Sequence, residues 1–172
     1  MAGKSVSVNY DELEKFRDNV EKSLGAEQID AFIESCAKEL AARLLAKVIK
    51  RTPVGDYSGD DYVDVSGRHH KGHYVAGKVG GTLRRGWTGD KKQSAAAYAK
   101  SLKVHSFGNA YVIEIINPVE YASYVEFGHR TRNHKGWVEG KFMLTISEQE
   151  IRSDAPRVLE NKLKKKLKEC FK

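Results

Sequence analysis

One apolar stripe constrains this chain more than any other feature of its sequence. Between Glu27 and Arg51, Ile29, Ile33, Cys36, Leu40, Leu44 and Val48 recur at helical spacing, and Phe32, Ala37, Ala41 and Leu45 widen the line. Side chains three and four residues apart share one face of a helix, so the spacing predicts a single long helix with a broad apolar face. A face that wide must be covered by a sheet or by other helices. Thr52-Pro53 ends it, because the residue before a proline is pushed out of helical geometry. A shorter helix is expected before it, over Asn9–Leu24. Asn9 can cap it, Asp11 and Glu12 favour the positive helix N-terminus, and Leu13, Phe16, Val20 and Leu24 form one stripe before Gly25 stops it.

Beyond the long helix the pattern changes. Residues 55–81 are rich in Gly, Asp, Ser and His and read as loop, with weak strands at 62–65 and 73–79. Leu83 and Trp87 are where the chain is expected to rejoin the core. Residues 91–100 stay open between helix and coil: QSAAAYAK has helical residues but little length. The clearest strand signal follows, with alternation over 102–107, Gly108-Asn109 as a two-residue turn, and alternation again over 111–116. On that second strand Tyr111, Ile113 and Ile115 share one face, and Val112, Glu114 and Ile116 the other.

The stretch from Asn117 to Leu144 then opens with helix-start chemistry. Asn117 can cap, Pro118 suits the first helical position, Glu120 can reach back, and Gly128 stands where a helix wants a left-handed residue. A basic loop follows, carrying Arg130, Arg132, Lys135 and Lys141 against the single acid Glu139. Trp137, Phe142, Met143 and Leu144 return the chain to apolar surroundings. From Phe142 to about Phe171 the chain reads as helical, with a break expected at Ser153-Asp154-Ala155-Pro156. The whole reads as α+β: a small, mostly antiparallel sheet packed with the long core helix, the N-terminal helix and C-terminal helices. One domain is expected over residues 1–172, with an enlarged loop at 55–79 and a protruding arm at 128–141.

Composition narrows the function classes. No run approaches the roughly 18 apolar residues of a membrane span, and the N-terminus lacks the apolar core of a signal peptide, which points to a protein made and kept in the cytosol. Cys36 falls on the apolar face of the long helix and reads as a small buried hydrophobe, and Cys170 lies far from it. The tempting cluster His69-His70-Lys71-Gly72-His73 has no Cys, and no carboxylate at a recognised ligand spacing, so a solvated loop is expected there and no metal site. Glu126 and His129 are three apart, but Gly128 should end the helix between them and spoil the register for metal or acid–base work. No GxSxG or phosphate-binding glycine pattern occurs. No catalytic residues and no cofactor are therefore expected, and the chain is not read as an enzyme.

Two ordered blocks carry a family resemblance. YASYVEFGHRTR…GWVEGKFM resembles the signature of the tail-completion (head–tail joining, neck) proteins of long-tailed bacteriophages. Thr52-Pro53-Val54, followed by Gly80-Gly81-Thr82-Leu83-Arg84-Arg85-Gly86-Trp87, is similar to that family's TPV…G.LRR.W pattern. With the helical flanks, the resemblance extends over nearly the whole chain. It implies a similar α/β plate and a structural virion protein. Such a protein forms a ring, typically of six subunits, between the head-side connector or stopper and the tail tube, or terminates the tail. It would sit in the virion, at the neck or tail end, and in the host cytoplasm during assembly.

Such rings need two different complementary patches on each subunit. The arm is the expected one, with Glu126, His129, Arg130, Arg132, Trp137 and Lys141 as candidate interface residues, since Trp and Arg favour interface centres. Glu126 has two readings: an ion pair with a nearby arginine of its own chain, or a pair across a subunit boundary, and the resemblance favours the second. A different class of function rests on the net charge of +7, the cationic loop and the Lys-rich C-terminal helix. That alternative is a nucleic-acid-binding module, or at least non-specific contact with DNA in the channel, and it predicts steep salt dependence. The lysines around Leu163 and Leu167 read more simply as the solvated face of an amphipathic helix.

Overall fold

The long helix forms where the stripe places it. In a computed structural model, which describes residues 25–57, 59–63, 67, 69, 70, 72, 80–89, 93–107 and 110–170 together with Asp18 and Lys22, helix α1 spans Ala26–Arg51. The Asn9–Leu24 helix otherwise lies outside the described residues. Along α1 the deepest line is Cys36, Ala41, Leu45 and Val48, while Ile29 at the other end is 42% exposed. The stripe is therefore covered best over its C-terminal half.

Thr52 closes α1 and ties it to the next element. Its N–H and hydroxyl both donate to the Val48 carbonyl, at 2.9 and 2.7 Å. Its hydroxyl oxygen accepts the indole N–H of Trp87 at 2.8 Å, and its carbonyl accepts the Arg84 guanidinium at 2.7 and 3.2 Å. Arg84 and Trp87 belong to the short helix α2, Thr82–Gly86, and its C-terminal cap. The two halves of the TPV…LRR.W pattern thus meet in space, and every partner in that buried knot is satisfied. Leu83 and Trp87 rejoin the core as expected, each 4% exposed.

Helix α3, Ala95–Ser101, settles the ambiguous stretch, with the Ser94 hydroxyl accepting the Ala97 N–H at 3.2 Å as its N-terminal cap. Ala99 of α3, with no side chain beyond Cβ, lets this short helix pack closely on α1. The last helix, α5, spans Met143–Cys170 and packs on α1 from another side. Lys47 and Arg51 of α1 meet Glu150 of α5, Lys47 at 2.7 Å, and Arg51 also donates to Ser147 at 3.0 Å. The core is made where these pieces converge: Ala41, Leu45, Val48, Leu83, Trp87, Ala99 and Met143.

The expected break at Ser153–Pro156 does not occur; Pro156 lies inside α5. Proline cannot donate to the carbonyl four residues back, but Pro156 and Arg152 are both exposed, so the freed carbonyl is open to water. Buried Ile151 and Val158 hold the helix down on either side of that defect.

The strands are short, antiparallel and arranged among the described residues as three separate pairs. Strands β1 (Tyr62–Val63) and β2 (His69–His70) pair within the expected loop region, and residues 73–79 lie outside the described residues. Strands β3 (His105–Phe107) and β4 (Ala110–Val112) form the expected hairpin, with His105 opposite Val112. The expected strand over 111–116 keeps its alternation, with Tyr111, Ile113 and Ile115 half-buried and Val112, Glu114 and Ile116 exposed, but laddered pairing stops at Val112. Tyr111 donates its hydroxyl to Asp30 at 2.6 Å, fixing this hairpin to α1. The remaining pair, β5 (Gly128–Arg130) and β6 (Trp137–Glu139), belongs to the candidate site. Helices packed around short antiparallel pairs make the fold α+β.

Candidate functional site

The segment expected as a basic loop is a β-hairpin with an ordered root and tip. Its approach differs from the expected helix at Asn117. The Asn117 side chain accepts the Val119 N–H at 3.2 Å and donates to the Leu83 carbonyl at 2.9 Å, so it makes a turn and a tertiary tie and caps no helix. Helix α4 begins later, spanning Ala122–Phe127. At Gly128 φ is 87° and ψ 171°, a region open essentially to glycine alone, and the chain passes directly from helix into strand. A Cβ at Gly128 would stand 2.5 Å from the Val138 carbonyl oxygen, so the close strand pairing also requires glycine.

The register places Gly128 opposite Glu139, His129 opposite Val138 and Arg130 opposite Trp137. Two side chains tie the tip. Thr131 accepts the Gly136 N–H on its hydroxyl at 3.0 Å while donating to Asn133 at 2.7 Å, and Asn133 also accepts the Lys135 N–H at 3.2 Å. These bonds hold His134 at φ 56°.

Glu126 secures the root. The residue is 6% exposed, and its carboxylate accepts the N–H groups of Leu144 and Thr145, each at 2.9 Å, and the Thr145 hydroxyl at 2.8 Å. Those are free donors of the first turn of α5, where the helix dipole also favours a negative charge. The Val125 and Glu126 carbonyls accept from Lys141 and Phe142 at 2.8 and 3.0 Å. Glu126 therefore has its partners within the chain, and they are backbone and hydroxyl groups; among the described residues it pairs with no arginine.

The other candidate residues lie on the hairpin or at its base. His129 is half-buried against Tyr124, their rings edge to face at 5.9 Å. Arg130, Arg132 and Lys141 are exposed, as is Trp137 at 59%. Among the described residues, none of Arg130, Arg132, Lys135 and Lys141 has a carboxylate partner. The C-terminal lysines differ: Lys162 bonds to Glu39 at 3.1 Å and to the Ser35 carbonyl at 2.7 Å, and Lys164 to Glu160 at 2.6 Å. Cys36 is buried on α1, and that burial pushes its thiol pKa up. Among the described residues no group of three His, Cys, Asp or Glu side chains could hold a metal ion, and no helix is long and apolar enough to cross a membrane.

Sequence reasoning passed over one feature beside the hairpin. A groove of about 250 Å³ runs between the segment after β4, helix α4 and the start of α5, with Trp87 and Met143 among its lining residues and Ile116 and Phe127 also facing it. Ile116 and Phe127 are 58% and 63% exposed. Ile116 was legible as one position of an alternating strand face with Val112 and Glu114, but nothing in the sequence showed that it and Phe127 of α4 would be left uncovered together.

A family model described as "Bacteriophage HK97-gp10, putative tail-component" matches residues 14–128, more than half of the chain. The chain belongs to this family. No curated protein and no solved structure matches it. The matched region includes α1, the Thr52–Trp87 knot and α4, and it stops at Gly128, where the hairpin begins. Membership in a tail-component family implies a structural protein of the virion that meets other phage structural proteins.

Proposed function

We propose that this tail component forms a homo-oligomeric ring at the neck, most simply of six subunits, that joins the connector to the end of the tail tube or terminates the tail. The hairpin spanning β5 and β6 is the arm by which each subunit grips the next. The observation that carries this reading is a rooted, side-chain-tied hairpin bearing exposed Trp137, Arg130, Arg132 and Lys135, with Lys141 at its base, the four cations having no carboxylate partner among the described residues. A flexible loop would lose more conformational entropy on binding, whereas a tip already tied by Thr131 and Asn133 arrives ordered. An exposed tryptophan directly across the hairpin from an arginine is the composition favoured at interface centres. His129 and Lys141 stand at the base of the arm, and Glu126 serves it from beneath by holding the root.

The test is to replace residues 130–138 with a short Gly/Ser linker, leaving the Gly140–Phe142 root intact. The variant is expected to fold as a monomer that fails to complete tails in an in vitro assembly assay. A variant that still forms rings and completes tails would rule the arm out. The same four cations would suit a DNA phosphate backbone. A loss of duplex binding with a steep salt slope, with assembly untouched, would move the hairpin's role to the DNA channel.

A further inference from the structure

We infer that the apolar groove beside Ile116 is the receptor for the hairpin of a second copy of this chain. This rests on the ring reading and deepens it by naming the surface that the arm enters. Three observations converge on the groove. Its lining is largely apolar, with Ile115, Ile116, Ala122, Phe127, Met143 and Leu144 among the residues that form it. Small closed apolar cavities of about 150 Å³ already hold benzene, so a groove of about 250 Å³ has room for an indole ring. One wall is also a continuation of β4 that has no ladder partner among the described residues. Residues 113–116 follow β4 and keep its alternating burial, yet among the described residues they belong to no ladder. Unpaired strand edges accept strands from other chains, with main-chain bonds giving affinity and side-chain pockets giving register.

Charge supplies the third observation and selects the occupant. Glu114 projects with Ile116 from the exposed face of that segment, and exposed Glu120 follows it; neither has an ion-pair partner among the described residues. The hairpin carries the complement: Arg130 and Arg132, which have no carboxylate partner among the described residues, and Trp137 and Val138 exposed at 59% and 43%. A second copy of the chain therefore offers an aromatic anchor for the groove, strands whose outer edges are unpaired among the described residues for residues 113–116, and cations for Glu114 and Glu120. The chain's own Trp137 does not line its own groove. Donor and receptor are thus two different patches on one subunit, as a head-to-tail ring requires.

The test joins the two patches covalently while recording the assembly state. Two full-length proteins are made in a Cys170→Ser background, one with Ser123→Cys in the groove and one with Val138→Cys beside the anchor; Cys36 is buried and stays in place. Both substitutions leave Trp137 and the groove's apolar side chains intact. Each protein is oxidised alone and in an equal mixture, and its mass is followed by light scattering. A disulfide-linked dimer that appears in the mixture far above the level of either protein alone, under conditions where oligomers form, is the expected result. Oligomers without that crosslink would overturn the inference and leave the ring reading standing. Protein that stays monomeric throughout would overturn both. In an otherwise native background, Ile116→Glu should weaken assembly at least tenfold without unfolding the chain, since the side chain it replaces is largely exposed; unchanged assembly would also overturn the inference.

Discussion

Truncating Glu126 to alanine should unfold the root of the hairpin before anything else in the protein. The carboxylate satisfies two N–H groups of the first turn of α5 and one hydroxyl, all within 2.9 Å, from a position 6% exposed. A hydrogen bond to a charged group contributes about 1.5–3 kcal/mol, and a lost helix cap costs about 1 kcal/mol. The three bonds share one acceptor and do not add, and the half-buried N–H groups of Leu144 and Thr145 regain some water, so the expected loss is about 2–3 kcal/mol. For a chain of this size that lowers Tm by about 4–12 °C. Glu126→Gln keeps the shape and one acceptor oxygen but turns an amide N–H₂ towards donors, and should lose about half as much. Thr145→Val removes only the hydroxyl donor and should cost about 0.5–1 kcal/mol. The assay is chemical denaturation of all three variants, with hydrogen exchange to locate the loosened amides in residues 126–145. Glu126→Ala and Glu126→Gln both within about 0.5 kcal/mol of the parent would refute the cap.

Other parts of the structure make equally direct predictions. Thr52→Val should cost about 1–3 kcal/mol, because it strips the acceptor from the buried Trp87 indole, whereas Thr52→Ser keeps that acceptor and should cost less; urea titration separates the two. Pro156→Ala should stabilise α5 by about 1–2 kcal/mol, the restored helical bond outweighing the added freedom of the unfolded chain, and calorimetry would show the rise in Tm. Lys47 and Arg51 hold the Glu150 carboxyl below the ordinary carboxylate value of 4.5, and Arg43 with Lys162 does the same for Glu39. Carboxyls depressed in the folded state contribute stability above that ordinary value and lose it as the pH falls through the folded one. Tm should therefore drop as the pH is lowered from about 4.5 towards 3, and less steeply in Glu150→Gln.

What could be read from the sequence follows from which signals are local. Helix α1 was legible because its stripe is long and uninterrupted, and the β3–β4 hairpin because alternation flanks a strong turn pair. The Thr52 and Leu83–Trp87 segments stood out as a pattern. Their joining in one hydrogen-bonded knot is a tertiary fact, since α2 returns to the end of α1 from more than thirty residues away in sequence. The β5–β6 hairpin was missed because its strands are three residues each and its tip is tied by the side chains of Thr131 and Asn133, with no tight-turn dipeptide to announce it. Pro156 carried a genuine start signal that packing by Ile151 and Val158 overrode. Glu126 drew attention through the arginines that follow it, yet its partners are two backbone N–H groups and a hydroxyl 18 and 19 residues further on, a pairing that leaves no mark in a sequence.

The central claim is that this chain is built to assemble with copies of itself at the end of a phage tail. The measurement that tests it most directly is the mass of the purified full-length protein by light scattering, alone and with isolated tails, at low and high salt. The account predicts species several times the 19.3 kDa monomer, or attachment to tail ends, that persist when the salt is raised. A 19.3 kDa monomer that ignores tails and binds duplex DNA with a steep salt slope would contradict it.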